Sequence, residues 1–183
     1  MMPFRRLLRG EVSGTRLEEV ATEVATRHGA TAESVEPLDA DNWLSTPCAV
    51  NDRWFVKVIT AQNSLVHALL TTGRNLGALS SRSEGFFEYF GTPVGMAEHE
   101  LAATRRMRDL DVNAPRPLEA FEHDGLGVLV MEFLPTFEPL DGLDPAVAER
   151  LAPDLFDALS RMHEADLVHG DLRSENVLVV DGD

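Results

Sequence analysis

Apolar residues recur along this chain first at helical spacing and then at strand spacing. Leu17, Val20, Ala21 and Val24 fall on one face of a helix. Thr15-Arg16-Leu17-Glu18 sets a hydroxyl and a glutamate three apart at its start, the spacing of a capping box, and Gly29 is a natural stop. The pattern predicts a helix that packs on the outside of the domain that follows. From Glu33 to Ile59 the pattern changes. Ser34–Leu38 and Cys48–Val50 read as short strands, and Asn51-Asp52 as a turn. Trp54-Phe55-Val56-Lys57-Val58-Ile59 reads as a strong, mostly apolar strand. A lysine there either snorkels outward from an edge or faces an anionic partner, since burying it alone is costly.

Residues 60–92 read as an insertion. Leu65, Val66, Leu69 and Leu70 predict a short helix stopped by Gly73, followed by a small, polar stretch to Gly85. Phe86-Phe87-Glu88-Tyr89-Phe90 is a dense aromatic cluster, either packed on the domain or a patch for a partner. Thr92-Pro93 opens the next helix, with Thr as N-cap and Pro at the first position, and the helix runs to about Leu110. Met96, Glu100, Ala103, Met107 and Leu110 share one stripe, and Glu98 is rotated by roughly 200° from Glu100. A glutamate on an inward stripe needs a cation, either Lys57 or a neighbouring arginine. Pro115–Phe121 and Gly127–Pro135 form a hairpin about His123-Asp124-Gly125. Asp144-Pro145 caps a helical region to Glu164, striped by Leu151, Leu155, Leu159 and Met162, with Pro153 expected to kink or divide it. No internal repeat and no low-complexity tract is read.

At 183 residues the chain holds one domain, or one plus a small appendage. Acidic residues outnumber basic ones 31 to 16, for a net charge of −15, and Lys57 is the only lysine. An acidic chain almost without lysine fits a protein kept soluble in concentrated salt, as in a halophile. The charge argues against a nucleic-acid partner. The lone Cys48 excludes an internal disulfide, fits a reducing cytoplasm, and reads as a small buried hydrophobe. The first nine residues carry arginines but no apolar core, so they form no signal peptide. No run of about 18 apolar residues exists, so no membrane-spanning helix is expected.

The chemistry gathers near the end, in Val168-His169-Gly170-Asp171-Leu172-Arg173-Ser174-Glu175-Asn176-Val177-Leu178-Val179-Val180. An apolar strand enters, a polar loop follows and an apolar strand leaves. Asp171 and Asn176, five apart, suit a base and a metal ligand held on one scaffold, which phosphoryl transfer needs. The loop resembles the H-x-D-x-x-x-x-N catalytic loop of the protein-kinase superfamily. Its His-Gly-Asp form is similar to the atypical branch: RIO-type kinases, related archaeal kinases and aminoglycoside phosphotransferases. RIO-type kinases also carry a flexible segment where residues 60–92 stand.

The resemblance implies an α+β, kinase-like fold that is C-terminally incomplete; together with the acidic, lysine-poor composition it points to a halophilic archaeon. Residues 1–32 are then an N-terminal helical extension, 33–135 an antiparallel N-lobe with its helix C, and 136–183 the start of a helical C-lobe. It also implies ATP and Mg²⁺ as cofactors. Lys57 would hold the ATP phosphates, steadied by Glu100. Asp171 would be the base, Asn176 a Mg²⁺ ligand, and Arg173 a contact to the γ-phosphate. His169 would brace the loop. Met131 would be gatekeeper, with the main chain of Glu132 and Leu134 meeting adenine. The phosphate-loop position, 41–47, has no glycine, a departure from the family; Ser45 and Thr46 either substitute or belong to an ordinary turn. The chain stops at Asp183, before the strand that should bring a second Mg²⁺-binding aspartate. Asp181 and Asp183 read as turn residues. The stripe on 146–163 would then be an apolar patch open to self-association. The leading function is a RIO-like serine/threonine kinase acting on a protein hydroxyl. A small-molecule kinase of the aminoglycoside type and a non-catalytic nucleotide-binding scaffold are the alternatives.

Overall fold

The computed structural model describes residues 12–38, 45–63, 84–85, 92–168 and 172–180. The helix expected at 65–70, the aromatic cluster 86–90, most of the phosphate-loop segment, His169, Asp171 and the turn at 181–183 lie outside the described residues.

Helix α1 spans Gly14–Arg27 and buries Leu17, Val20, Ala21, Val24 and Ala25. Its N-cap is Ser13, whose hydroxyl accepts the Arg16 N–H at 3.4 Å. The Thr15–Glu18 spacing placed the cap two residues too late: Ser13 is extended and reaches the third amide, which leaves Thr15 inside the first turn. Gly29 ends the helix at φ 69°, and the Ala30 N–H donates back to the Ala25 carbonyl at 2.8 Å.

Five strands form one antiparallel sheet: β1 (Val35–Pro37), β2 (Thr46–Val50), β3 (Trp54–Ile59), β5 (Pro117–His123) and β6 (Leu126–Glu132), in the order β1-β2-β3-β6-β5. Asn51 and Asp52 turn β2 into β3 at positive φ. The Asn51 side chain accepts the Glu33 and Ser34 N–H groups at 2.8 and 3.1 Å and donates to Thr31 at 2.7 Å. One asparagine thus serves as turn residue and as clamp on the run from α1 into the sheet. Asp124 and Gly125, both at positive φ, close the β5–β6 hairpin as a two-residue turn.

Strand β3 is covered on both faces. Trp54, Val56 and Val58 share a buried cluster with α1, Cys48, Val50, Val128 and Val130. Phe55 and Ile59 face the other way, with Leu129, Met131 and Ala97. The second face is covered by α2 (Pro93–Asp109), capped by the Thr92 hydroxyl, which accepts the Gly95 N–H at 3.1 Å. The result is helix, sheet, helix in three layers. Helix α2 seats tightly. A Cβ on Gly127 of β6 would stand 2.0 Å from the Pro93 carbonyl oxygen, so only glycine admits the helix start there.

Helix α3 (Pro145–Glu164) is capped by the Asp144 carboxylate on the Ala146 N–H at 2.8 Å. It continues through Pro153 rather than dividing. Pro153 lies on the exposed face, where the carbonyl it leaves without a partner can take water. Met162 is buried on Met107, Val112 and Leu167, joining the ends of α3 and α2. Short pairings complete the topology: β4 (Glu84–Gly85) runs parallel to β8 (Leu167–Val168), and β7 (Glu138–Pro139) antiparallel to β9 (Leu178–Val179). Among the described residues, the large apolar side chains left exposed are Phe137, Phe156, Leu172 and Leu178, all within residues 137–178. The architecture is the α+β one expected, an antiparallel sheet with its helix and the start of a helical lobe. No helix among the described residues is long and apolar enough to cross a membrane.

Candidate active site

Strand alternation decides where Lys57 goes. Its neighbours at 56 and 58 point into the α1 layer, so Lys57 lies on the α2 face between Phe55 and Ile59. There its ammonium donates to the Glu100 carboxylate. Both side chains keep a path to water, at 22% and 28% exposure. Glu98, two residues earlier, is exposed. Helical rotation therefore selects Glu100, and the two sites are held from different elements, a sheet strand and the helix laid across it. A half-buried ion pair of this kind acts as a placed positive charge. It leaves donors on the ammonium for a second anion, because Lys offers three.

Just beyond Lys57 the chain is fixed by a reciprocal contact that sequence reasoning missed. The Asn63 side chain accepts the Thr60 N–H at 2.9 Å and the Thr60 hydroxyl at 2.7 Å, while the Thr60 hydroxyl accepts the Asn63 N–H at 3.1 Å. Asn63 is fully buried. The signal was a hydroxyl followed three residues later by an amide side chain, the logic of a capping box.

Met131 is buried on the same face as Lys57, in register with Phe55. The chain after it is braced. The Glu132 N–H donates to the Arg116 carbonyl at 2.9 Å, and the Glu132 carboxylate accepts the Arg116 N–H at 2.6 Å. The Phe133 N–H donates to the Arg53 carbonyl at 3.2 Å. Leu134 follows, half-buried. Ser45 is buried and Thr46 half-buried where β2 begins, and Pro47 pairs with Lys57 across the strands.

The polar loop is described from Leu172 onward. Ser174–Asn176 is a single tight turn, with the Asn176 N–H on the Arg173 carbonyl at 2.9 Å. It is tied down by β9 on β7 and by the Leu140 N–H on the Val177 carbonyl at 2.9 Å. Arg173 and Asn176 are exposed, and both engage in polar contacts. The Asn176 amide oxygen is a hard neutral donor of the kind Mg²⁺ accepts, and Mg²⁺ in phosphoryl-transfer sites takes few protein ligands beside the phosphates. The residues present fit a nucleotide-borne ion on that count. Among the described residues the carboxylate and imidazole atoms that come together, those of Glu19, His123 and Asp124, lie instead at the β5–β6 turn. Cys48 takes no part: burial pushes its thiol up to about 12.

An antiparallel sheet bearing a lysine, crossed by a helix whose glutamate pairs with it and followed by a helix leading to a polar loop, defines a protein-kinase-like fold. Residues 93–183 match the RIO domain. The chain belongs to the protein-kinase-like, RIO-type family. Comparison with curated proteins returned no match. The matched region opens at the first residue of α2, so Glu100 lies inside it and Lys57 outside; geometry alone joins them.

Proposed function

We propose that the chain is a RIO-like serine/threonine protein kinase module that passes the ATP γ-phosphate to a protein hydroxyl. The observation that carries this reading is the Lys57–Glu100 pair, set in the three-layer domain that runs into the RIO-matched loop. Lys57 is the chain's only lysine and holds a fixed charge on the helix-covered face of the sheet. Its remaining donors meet the α- and β-phosphates, and Glu100 keeps it from swinging away. Positioning and charge neutralisation are most of what phosphoryl transfer asks of a protein.

The other assignments follow the same logic. Met131 closes the pocket behind adenine. Because the Glu132 N–H is already committed to Arg116, adenine is read by the Glu132 carbonyl and the Leu134 N–H. Ser45 and Thr46 meet the phosphates at the start of β2, where hydroxyls stand in for glycine. Asp171 orients the acceptor hydroxyl and takes its proton. Asn176 is the residue that would hold Mg²⁺, which when bound neutralises charge on the phosphate oxygens. Arg173 touches the γ-phosphate. The lone buried Cys48 agrees with a reducing, cytoplasmic setting. The apolar side chains exposed between residues 137 and 178 are a route to self-association.

The test is transfer of labelled γ-phosphate to the chain itself and to a generic basic protein, in molar salt. Transfer that Asp171→Ala abolishes and Asp181→Ala spares supports the roles assigned. Transfer indifferent to Asp171→Ala, or directed only to small amino sugars, overturns them.

A further inference from the structure

Two helices end the same way, and each end holds the other. Helix α2 closes on Arg106-Met107-Arg108-Asp109-Leu110-Asp111-Val112, and α3 on Arg161-Met162-His163-Glu164-Ala165-Asp166-Leu167. Both runs read Arg-Met, three residues, Asp, apolar, a short internal repeat that the sequence reading passed over. Both aspartates sit at positive φ, 55° at Asp111 and 56° at Asp166, where they end their helices. Both methionines and both apolar residues that follow the aspartates are buried together. The arginines then cross. Arg161 donates through Nε to the Leu110 carbonyl and through Nη2 to the Asp111 carbonyl, each at 3.0 Å. Arg106 donates through Nη2 to the carbonyl of Ala165, the residue that caps α3. Each guanidinium satisfies carbonyls that the other helix leaves open and complements its negative end.

We propose that Arg161, with Arg106 as its reciprocal, is a positioning residue for the Lys57–Glu100 pair. Resting on the kinase-like reading of that pair, the cross-capped ends fasten α2 to α3. Helix α2 is then held at its start by the Gly127 contact, at Glu100 by Lys57, and at its end by Arg161. Leu167, two residues before the polar loop, is buried in the same joint. The pair and the joint at Leu167 are therefore held together, and α2 does not swing Glu100 away from Lys57 on its own.

Because Lys57 is the only lysine, its amine can be read without nucleotide. An ammonium engaged by Glu100 must release it before it can attack an acylating reagent. Labelling of Lys57 by an N-hydroxysuccinimide acetate, followed on the peptide by mass, therefore reports the pair directly. Arg161→Gln and, independently, Arg106→Gln are expected to raise the rate at least about threefold, within the coupling seen for residues sharing one network. Arg161→Lys, which keeps the charge but replaces the two-nitrogen fork by a single ammonium, falls between. In a Glu100→Gln background Arg161→Gln adds nothing, and Arg27→Gln on α1 leaves the rate unchanged. Wild-type labelling in both arginine variants, or an equal increase in the Glu100→Gln background, overturns the proposal. Should the protein fail to bind ATP, the kinase reading falls, while these rates still decide the coupling.

Discussion

Lys57 and Glu100 come from residues 43 apart and meet because two periods coincide: alternation along β3 and rotation along α2. Replacing Lys57 by Met is expected to weaken ATP binding at least tenfold while costing the fold only about 1 kcal/mol or less, since the pair keeps access to water. Glu100→Gln should weaken binding in the same direction, and Glu98→Gln should leave it unchanged; calorimetric titration of the three variants checks the order. Cys48 offers a second check. Burial raises its thiol from 9.0 to about 12, so the folded chain holds a proton that the unfolded chain releases from about pH 9 upward. This contribution to stability is fully present below pH 9. It is lost as pH rises toward 12, with a slope of at most about 1.4 kcal/mol per pH unit. Denaturant midpoints of wild type and Cys48→Ala between pH 8 and 11 should diverge with that sign. A thiol reagent at pH 8 should label Cys48 only in the unfolded state.

At the scale of elements, the sequence was most readable where one face is apolar. The face of α1, the whole of β3, the caps Thr92 and Asp144 and the place of the hairpin turn each follow from local patterns, although His123, read as part of that turn, ends the strand instead. What stayed hidden depends on a partner far along the chain. Gly127 reads as an ordinary strand glycine until Pro93 is laid on it. Arg161 and Arg106 read as surface charge until the two helix ends face each other. The Ser13 cap was missed because a competing hydroxyl two residues on had the better-known spacing. Gly127→Ala is expected to cost about 1–3 kcal/mol, the scale of overpacking. It should also raise hydrogen exchange across the first turns of α2 while sparing α1. Pro153→Ala should stabilise the protein, because α3 is continuous there and alanine restores the missing N–H; the gain is at most about 3 kcal/mol. A thermal melt reads both.

For the whole molecule, a charge of −15 on 183 residues sets self-repulsion against a well-packed centre. Added salt screens that repulsion over about 3 Å at 1 M against about 10 Å at 0.1 M, so the melting temperature should climb steadily from dilute buffer to molar KCl. Among the described residues the buried side chains form three clusters, one under α1, one under α2 on the face that bears Lys57, and one joining the ends of α2 and α3. Family membership comes from the half of the chain that begins at α2. Lys57 lies in the half before it, and its ion pair with Glu100 joins the two. The central claim is therefore that the helix-covered face of the sheet is a nucleotide site built on Lys57. Titration of ATP with Mg²⁺ in molar KCl, wild type beside Lys57→Met, tests it most directly. Saturable binding by wild type, weakened at least tenfold by Lys57→Met, is the predicted result. A folded wild type that binds no ATP at millimolar concentration, or binds it equally well without Lys57, would contradict it.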